Sequence, residues 1–185
     1  HRVDRRQRQM CIRDRAKERD LPLVVVEPLA IAHKYANDRI HAFVIQGMMD
    51  NKKAFEDSPV TYVPYVETKH NEARGLLEKW MEHAAVLVID DFPVYFPRRV
   101  IEIASEIDKC EVHCVDSNGF LAMDQGREFT TAYSFRRHVH KTILQSMSEF
   151  PAPDPLSSTH DMKKFPVEKV ESIFKESDTP ITPYE

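Results

Sequence analysis

The chain is 185 residues long, with 26 Lys+Arg against 30 Asp+Glu for a formal net charge of −4, and it is 42% hydrophobic and 30% charged; that is the composition of one globular domain with tails. No run nears the ~20 apolar residues of a bilayer span, which excludes a helical membrane protein, and the acidic balance argues against a chain that binds nucleic acid by itself. Three cysteines (Cys11, Cys110 and Cys114) with no secretory segment ahead of them predict a reduced, cytoplasmic protein.

The first residue is His1 and the first methionine is Met10, which predicts a fragment. Residues 1–20 hold eight basic and four acidic side chains, leaving an acidic remainder. Such a stretch reads either as a cationic arm for nucleic acid or as an assembly scar to be kept out of fold reasoning. The second reading is preferred for 1–15, because 6–14 resembles peptide strings translated from sequencing-adaptor DNA. No apolar period or capping signal predicts an element there.

Pro22–Leu29 is a nearly continuous β-branched run bracketed by prolines, the pattern of a strand covered on both faces of a parallel sheet. His33–Phe55 has helical spacing, with Ile40, Phe43, Val44, Gly47 and Met48 along one stripe. Val60–Val66 is the next strand, demoted to an edge or terminus by Pro64. His70–Ala84 follows as a helix with Asn71 as N-cap and Ala73, Leu76, Leu77, Trp80 and Met81 on its apolar side. Ala85–Asp91 is a buried strand ending on two carboxylates. Pro97–Ile107 is a helix with proline in its first turn, and Glu111–Asp116 is a strand leaving through the turn signal Ser117-Asn118-Gly119. Thr130–Phe150 is a helix carrying Phe135, Val139, Ile143, Leu144 and Met147. Beyond Pro151 the chain is polar and proline-rich, with one helix expected over Val167–Lys175.

Strands separated by helices predict right-handed β-α-β units in a Rossmann-like, doubly wound parallel sheet. Ligands of such sheets bind beyond the strands' carboxyl ends. Asp90, Asp91, Asp116, Ser117 and Asn118 fall there and are the candidate cofactor-binding residues. Paired carboxylates suit Mg²⁺ or ribose hydroxyls, but consecutive strand-end residues point apart, which favours capping and turn roles. Four glycines cannot build a glycine-rich phosphate turn, and no Walker motif or nucleophile elbow is present. The Cys110/Cys114 spacing suits buried structural thiols better than zinc, and no metal site is expected. Arg136, Arg137, His138 and Lys141 form a basic patch, read either as a contact for phosphate or an acidic partner or as a solvated helix face. Phe92, Tyr95 and Phe96 are read as an interface rather than as core closing the sheet.

Several stretches together resemble the amino-terminal α/β domain of the photolyase–cryptochrome family. The resemblance is greatest to bacterial deoxyribodipyrimidine photolyases akin to the class II branch. The stretches are Asp38–Asn51 (DRIHAFVIQGMMDN), Tyr62–Glu67 (YVPYVE), Val88–Pro93 (VIDDFP), Val115–Gly119 (VDSNG) and Thr131–Arg137 (TAYSFRR), in the family's order and within residues 16–155. The resemblance implies a parent lyase that splits cyclobutane pyrimidine dimers in UV-damaged DNA with light and reduced FAD, the cofactor carrying the chemistry. It places FAD, the lesion pocket and all catalytic residues in a helical carboxy-terminal domain absent from this chain, against which residues 16–150 pack and toward which 151–185 lead as a linker. It allows an antenna chromophore in the α/β domain and implies neither a membrane partner nor an oligomer. The family's first strand, central in its sheet, is expected before Ala16 and is missing, so the chain alone is expected to be inactive and to aggregate. The alternatives are a cryptochrome-like photoreceptor fragment and a free-standing flavodoxin-like binding module.

Overall fold

A computed structural model describes residues 8–119, 121–147 and 154–177. Residues 1–7 of the arm or scar, the end of the helix predicted to Phe150, the Pro151–Pro153 stretch and the tail from residue 178 lie outside the described residues, as do the side chains of Cys11 and Tyr95. The fold is mixed α/β, with six helices and two parallel two-stranded sheets among the described residues. The alternation of strands and helices therefore stands, while the single sheet expected from it is present as two separate parallel pairs. The chain divides into two compact units, one of residues 13–85 with 156–185 and the other of residues 86–155 with 1–12.

Where no element was expected, α1 (Arg8–Glu18) forms. Its residues are mostly strong helix formers, so intrinsic propensity builds it without an apolar stripe. Asp20, at φ 53°, ends the segment in the left-handed region, and the Leu21 N–H returns to the Ala16 carbonyl at 2.9 Å. Lys17 pairs with Asp161 at 2.6 Å, an exposed contact that solvent screens and that adds little to stability.

In the first unit β1 (Val24–Leu29) pairs in parallel with β2 (Thr61–Val66), from Val24 opposite Thr61 to Leu29 opposite Val66. The crossover is α2 (Asp38–Phe55), as a parallel pair requires. Asn37 sets its start by accepting the Ile40 N–H at 3.0 Å, a cap that the stripe-based start at His33 missed. Only Met48 of the predicted stripe is buried; Ile40 is 45% and Phe43 77% exposed. The helix thus meets the sheet through its later turns.

The third helix is shorter than its spacing predicts. α3 runs over Leu76–Glu82, behind Gly75 at φ 89°. Asn71, expected as its cap, sits at φ 62° in a turn. The competing structure is local: the Glu72 carboxylate takes the Thr68 N–H (2.7 Å), the Thr68 hydroxyl (2.9 Å) and the Lys69 N–H (3.3 Å). These bonds, the Thr68 N–H first, hold the Glu72 carboxyl below its usual range.

From the stretch read as a linker, α6 (Val167–Glu176) completes this unit. Ile173 and Phe174 are buried with Val63, Tyr65 and Leu76, and Val24, Val26, Trp80, Phe165 and Val170 pack around them. Phe174 lies 5.6 Å from the Tyr65 ring and edge-on to Trp80 at 6.3 Å. The segment is further tied by Thr61 Oγ1 to the Phe165 carbonyl (3.2 Å) and by His83 Nε2 to Glu176 (3.2 Å). The helix stands where one was expected, over Val167–Lys175; what its polarity hid is the packing of its single apolar stripe.

In the other unit β3 (Val86–Asp90) and β4 (Glu111–Val115) pair in parallel, with Val86 opposite Glu111. The crossover is α4 (Tyr95–Ile107), which holds Pro97 in its first turn as expected and ends at Asp108 in the left-handed region, φ 51°. α5 (Ala132–Ser146) starts at the Thr131 cap, whose Oγ1 accepts the Ser134 N–H at 3.2 Å. None of its side chains is buried, and Leu144 is 78% exposed.

Candidate functional site

In the β3–β4 unit the strands end side by side, so parallel pairing carries Asp90 and Asp91 to the same end as Asp116, Ser117 and Asn118. The Asp91 N–H donates to the Val115 carbonyl at 2.8 Å and extends the ladder one residue beyond β3. Ser117 Oγ donates to Asp90 Oδ1. Asn118 Nδ2 donates to the Asp91 carbonyl at 2.9 Å and to Asp116 Oδ1 at 3.2 Å. All five candidate residues are therefore brought together.

Their contacts are largely with one another. Asp116 Oδ1 also accepts the Asn118 N–H at 3.0 Å, an Asx turn. Asp116 Oδ2 accepts the Met123 N–H at 2.6 Å, so one carboxylate closes a loop between residues 116 and 123. That is the turn role weighed for these residues from the sequence. Asp90 and Asp91 are half-buried, and among the described residues no cluster of three or more His, Cys, Asp or Glu side chains is arranged to hold a metal ion.

Next along the chain, His138 of α5 reaches back to the loop, its Nε2 lying 2.7 Å from Gln125 Oε1 and its ring 5.0 Å from that of Phe129. Phe129 stacks edge-on against Phe135 at 5.2 Å and lies beneath the Arg127 guanidinium at 4.3 Å. Arg136 and Arg137 are exposed, 5.8 and 5.9 Å from the Tyr133 ring. Three guanidinium groups thus sit on aromatic faces. Sequence reading found Arg136 and Arg137 but missed Arg127 and Gln125, which lie in a stretch without periodicity. Phe92 (40% exposed) and Phe96 (59%) stand outward.

At the opposite end of β4 a cavity of about 270 Å³ is lined by Ser105, Asp108, Cys110, Glu111 and His113 among others. His113 is 4% exposed, with Nε2 bonded to Glu111 Oε1 and Nδ1 unpartnered among the described residues. Burial pushes the Cys110 and Cys114 thiols up, more than the Leu87 backbone bond lowers the former. Cys114 is 7% exposed.

The cavity is smaller than the ~300 Å³ at which drug-sized pockets begin. Gly75, Gly119 and Gly126 occupy isolated turns rather than one phosphate loop. No helix among the described residues is long and apolar enough to cross a membrane. No family model matches the chain, and no curated protein matches it.

Proposed function

We propose that this chain is the amino-terminal α/β portion of a photolyase–cryptochrome protein, folded as a Rossmann-like doubly wound parallel sheet lacking the family's first strand. One observation carries the reading: each strand pair is parallel and each is joined by a helical crossover, β1-α2-β2 and β3-α4-β4. The stretches that resemble the family support it, because they coincide with elements. Asp38–Asn51 lies in α2, Tyr62–Glu67 in β2 and the residue after it, Val88–Pro93 at the end of β3, Val115–Gly119 at the end of β4, and Thr131–Arg137 at the start of α5.

On this reading the parent is a cytoplasmic deoxyribodipyrimidine photolyase. Its flavin, its catalytic residues and its contact with UV-damaged DNA belong to a helical domain on which this portion packs. The part played by these residues is structural, and the resemblance allows an antenna chromophore in this portion. The test is repair by the full-length parent, loaded with reduced FAD, on an oligonucleotide holding one cyclobutane thymine dimer. Loss of the dimer under blue light and none in the dark is expected. A parent that binds flavin but leaves the dimer intact in light would replace this reading with the photoreceptor one; a parent without flavin would replace it with the binding module.

A further inference from the structure

The cavity beside the start of β4 is built by two neighbouring elements of one unit. Ala104 and Ser105 come from α4 and Asp108 from its cap, while Cys110, Glu111 and His113 come from the approach to β4 and from the strand itself. Glu111 and His113 are two residues apart and so share one face of the strand. Exposure grades across the wall: Ala104 and His113 are buried, Ser105 and Cys110 half-buried, Asp108 and Glu111 exposed. With roughly 30 Å³ for each water, the volume of about 270 Å³ is room for a ligand of a few heavy atoms.

The lining side chains gather acceptors. His113 Nε2–H donates to Glu111 Oε1, which leaves Nδ1 of that ring an unprotonated acceptor, buried and without a partner among the described residues. The ring is 4% exposed, and an orphaned polar atom at that depth is costly unless something supplies its bond. Ser105 Oγ has given its hydrogen to the Ile101 carbonyl at 2.8 Å and keeps only lone pairs. The carboxylates of Asp108 and Glu111 add negative charge, and α4 ends here with no basic residue in its last turn, so its dipole presents its negative end as well. Lys109 is adjacent in sequence but is not part of the wall. Among the described residues no three His, Cys, Asp or Glu side chains converge to hold a metal ion. The acceptors are therefore spread as N–H donors require, rather than focused on one ion.

We infer that this cavity binds a small organic cation with several N–H donors, a guanidinium or primary ammonium group. Its charge is met by Asp108, Glu111 and the carboxyl end of α4, and an N–H reaching the His113 ring supplies the bond that Nδ1 lacks. The site lies at the other end of β4 from Asp116, and it stands whether or not the parent repairs DNA.

Cys110, in the wall, serves as the probe. Its alkylation by iodoacetamide in the full chain is followed by mass spectrometry, with Cys114, 7% exposed, as the internal control. Methylguanidinium at about ten times its Kd is expected to slow Cys110 about tenfold, because only the unoccupied fraction reacts, while Cys114 keeps its rate. Tetramethylammonium, with the same charge and no N–H, should leave Cys110 unprotected. Glu111→Gln and Asp108→Asn keep the shape of the wall and remove one charge each; both should weaken the protection severalfold while Cys110 reacts at its usual rate without ligand. Tighter binding of a blocked arginine peptide than of methylguanidinium would assign the cation to a protein side chain, and the reverse to a free small molecule. Equal protection by tetramethylammonium, equal slowing of Cys114, no protection of Cys110, or full protection in both variants would overturn the inference.

Discussion

Phe174 is a single side chain on which one unit depends. It is 2% exposed and touches two aromatic rings of that unit, so Phe174→Ala removes both their packing and its own transfer from water. A loss of about 3–5 kcal/mol in urea unfolding is expected, against a change within about 0.5 kcal/mol for Leu144→Ala on the uncovered face of α5. Tyr65 gives the same core a pH signature. Burial first, then the Glu72 and Glu67 carboxylates, push its hydroxyl up to about 12. Its folded value lies above the unfolded ~10, so its contribution to stability is complete below pH 10 and is lost as pH rises through about 12. Phenolate absorbance should show one of the six tyrosines ionising late, and Tyr65→Phe should remove that late step. At the strand ends, Asp116→Ala withdraws the acceptor of the Asn118 and Met123 amides. Faster exchange of both, with little change in β4, is the expected readout, and unaltered exchange would show that other contacts hold the loop.

At the scale of elements, what the sequence disclosed and what it hid divide along a physical line. Short valine-bearing runs announced all four strands, and their ends shifted by no more than two residues, since a ladder stops where pairing stops rather than where apolar character does. Parallel pairing followed from the intervening helices. Capping was legible only in part: Thr131 and Asn37 cap α5 and α2, but periodicity placed both helix starts earlier. Asn71 failed as a cap because Glu72, one residue on, wraps back to Thr68 and holds the chain in a turn. α1 was missed because propensity without periodicity leaves no pattern to read, and the packing of α6 because two buried residues in a polar decamer are a thin signal. Of the strand-end residues, alignment of Asp90 with Ser117 was readable from parallel register, whereas the reach of Asp116 to Met123 depends on a loop path that no spacing rule encodes. Thr131→Ala should cost about 1 kcal/mol and fray the first turn of α5, seen as faster exchange at Ser134.

For the molecule as a whole, two-stranded sheets are marginal by themselves, and each unit leans on its helices to cover them. Large apolar side chains remain outside: Phe43, Phe96, Tyr133 and Leu144 are each more than half exposed. This predicts self-association of the chain on its own at micromolar concentration, measurable by sedimentation; a soluble monomer with one cooperative thermal transition would contradict it. The unit that contains β1 is also assembled from two stretches of chain far apart in sequence, 13–85 and 156–185. During synthesis Tyr65 and Leu76 emerge about 100 residues before Phe174, and at ~5–20 residues per second that interval lasts roughly 5–20 s. For that time a nascent chain carries a hydrophobic surface it cannot yet cover, a window in which a chaperone on the ribosome, rather than the finished fold, decides its fate.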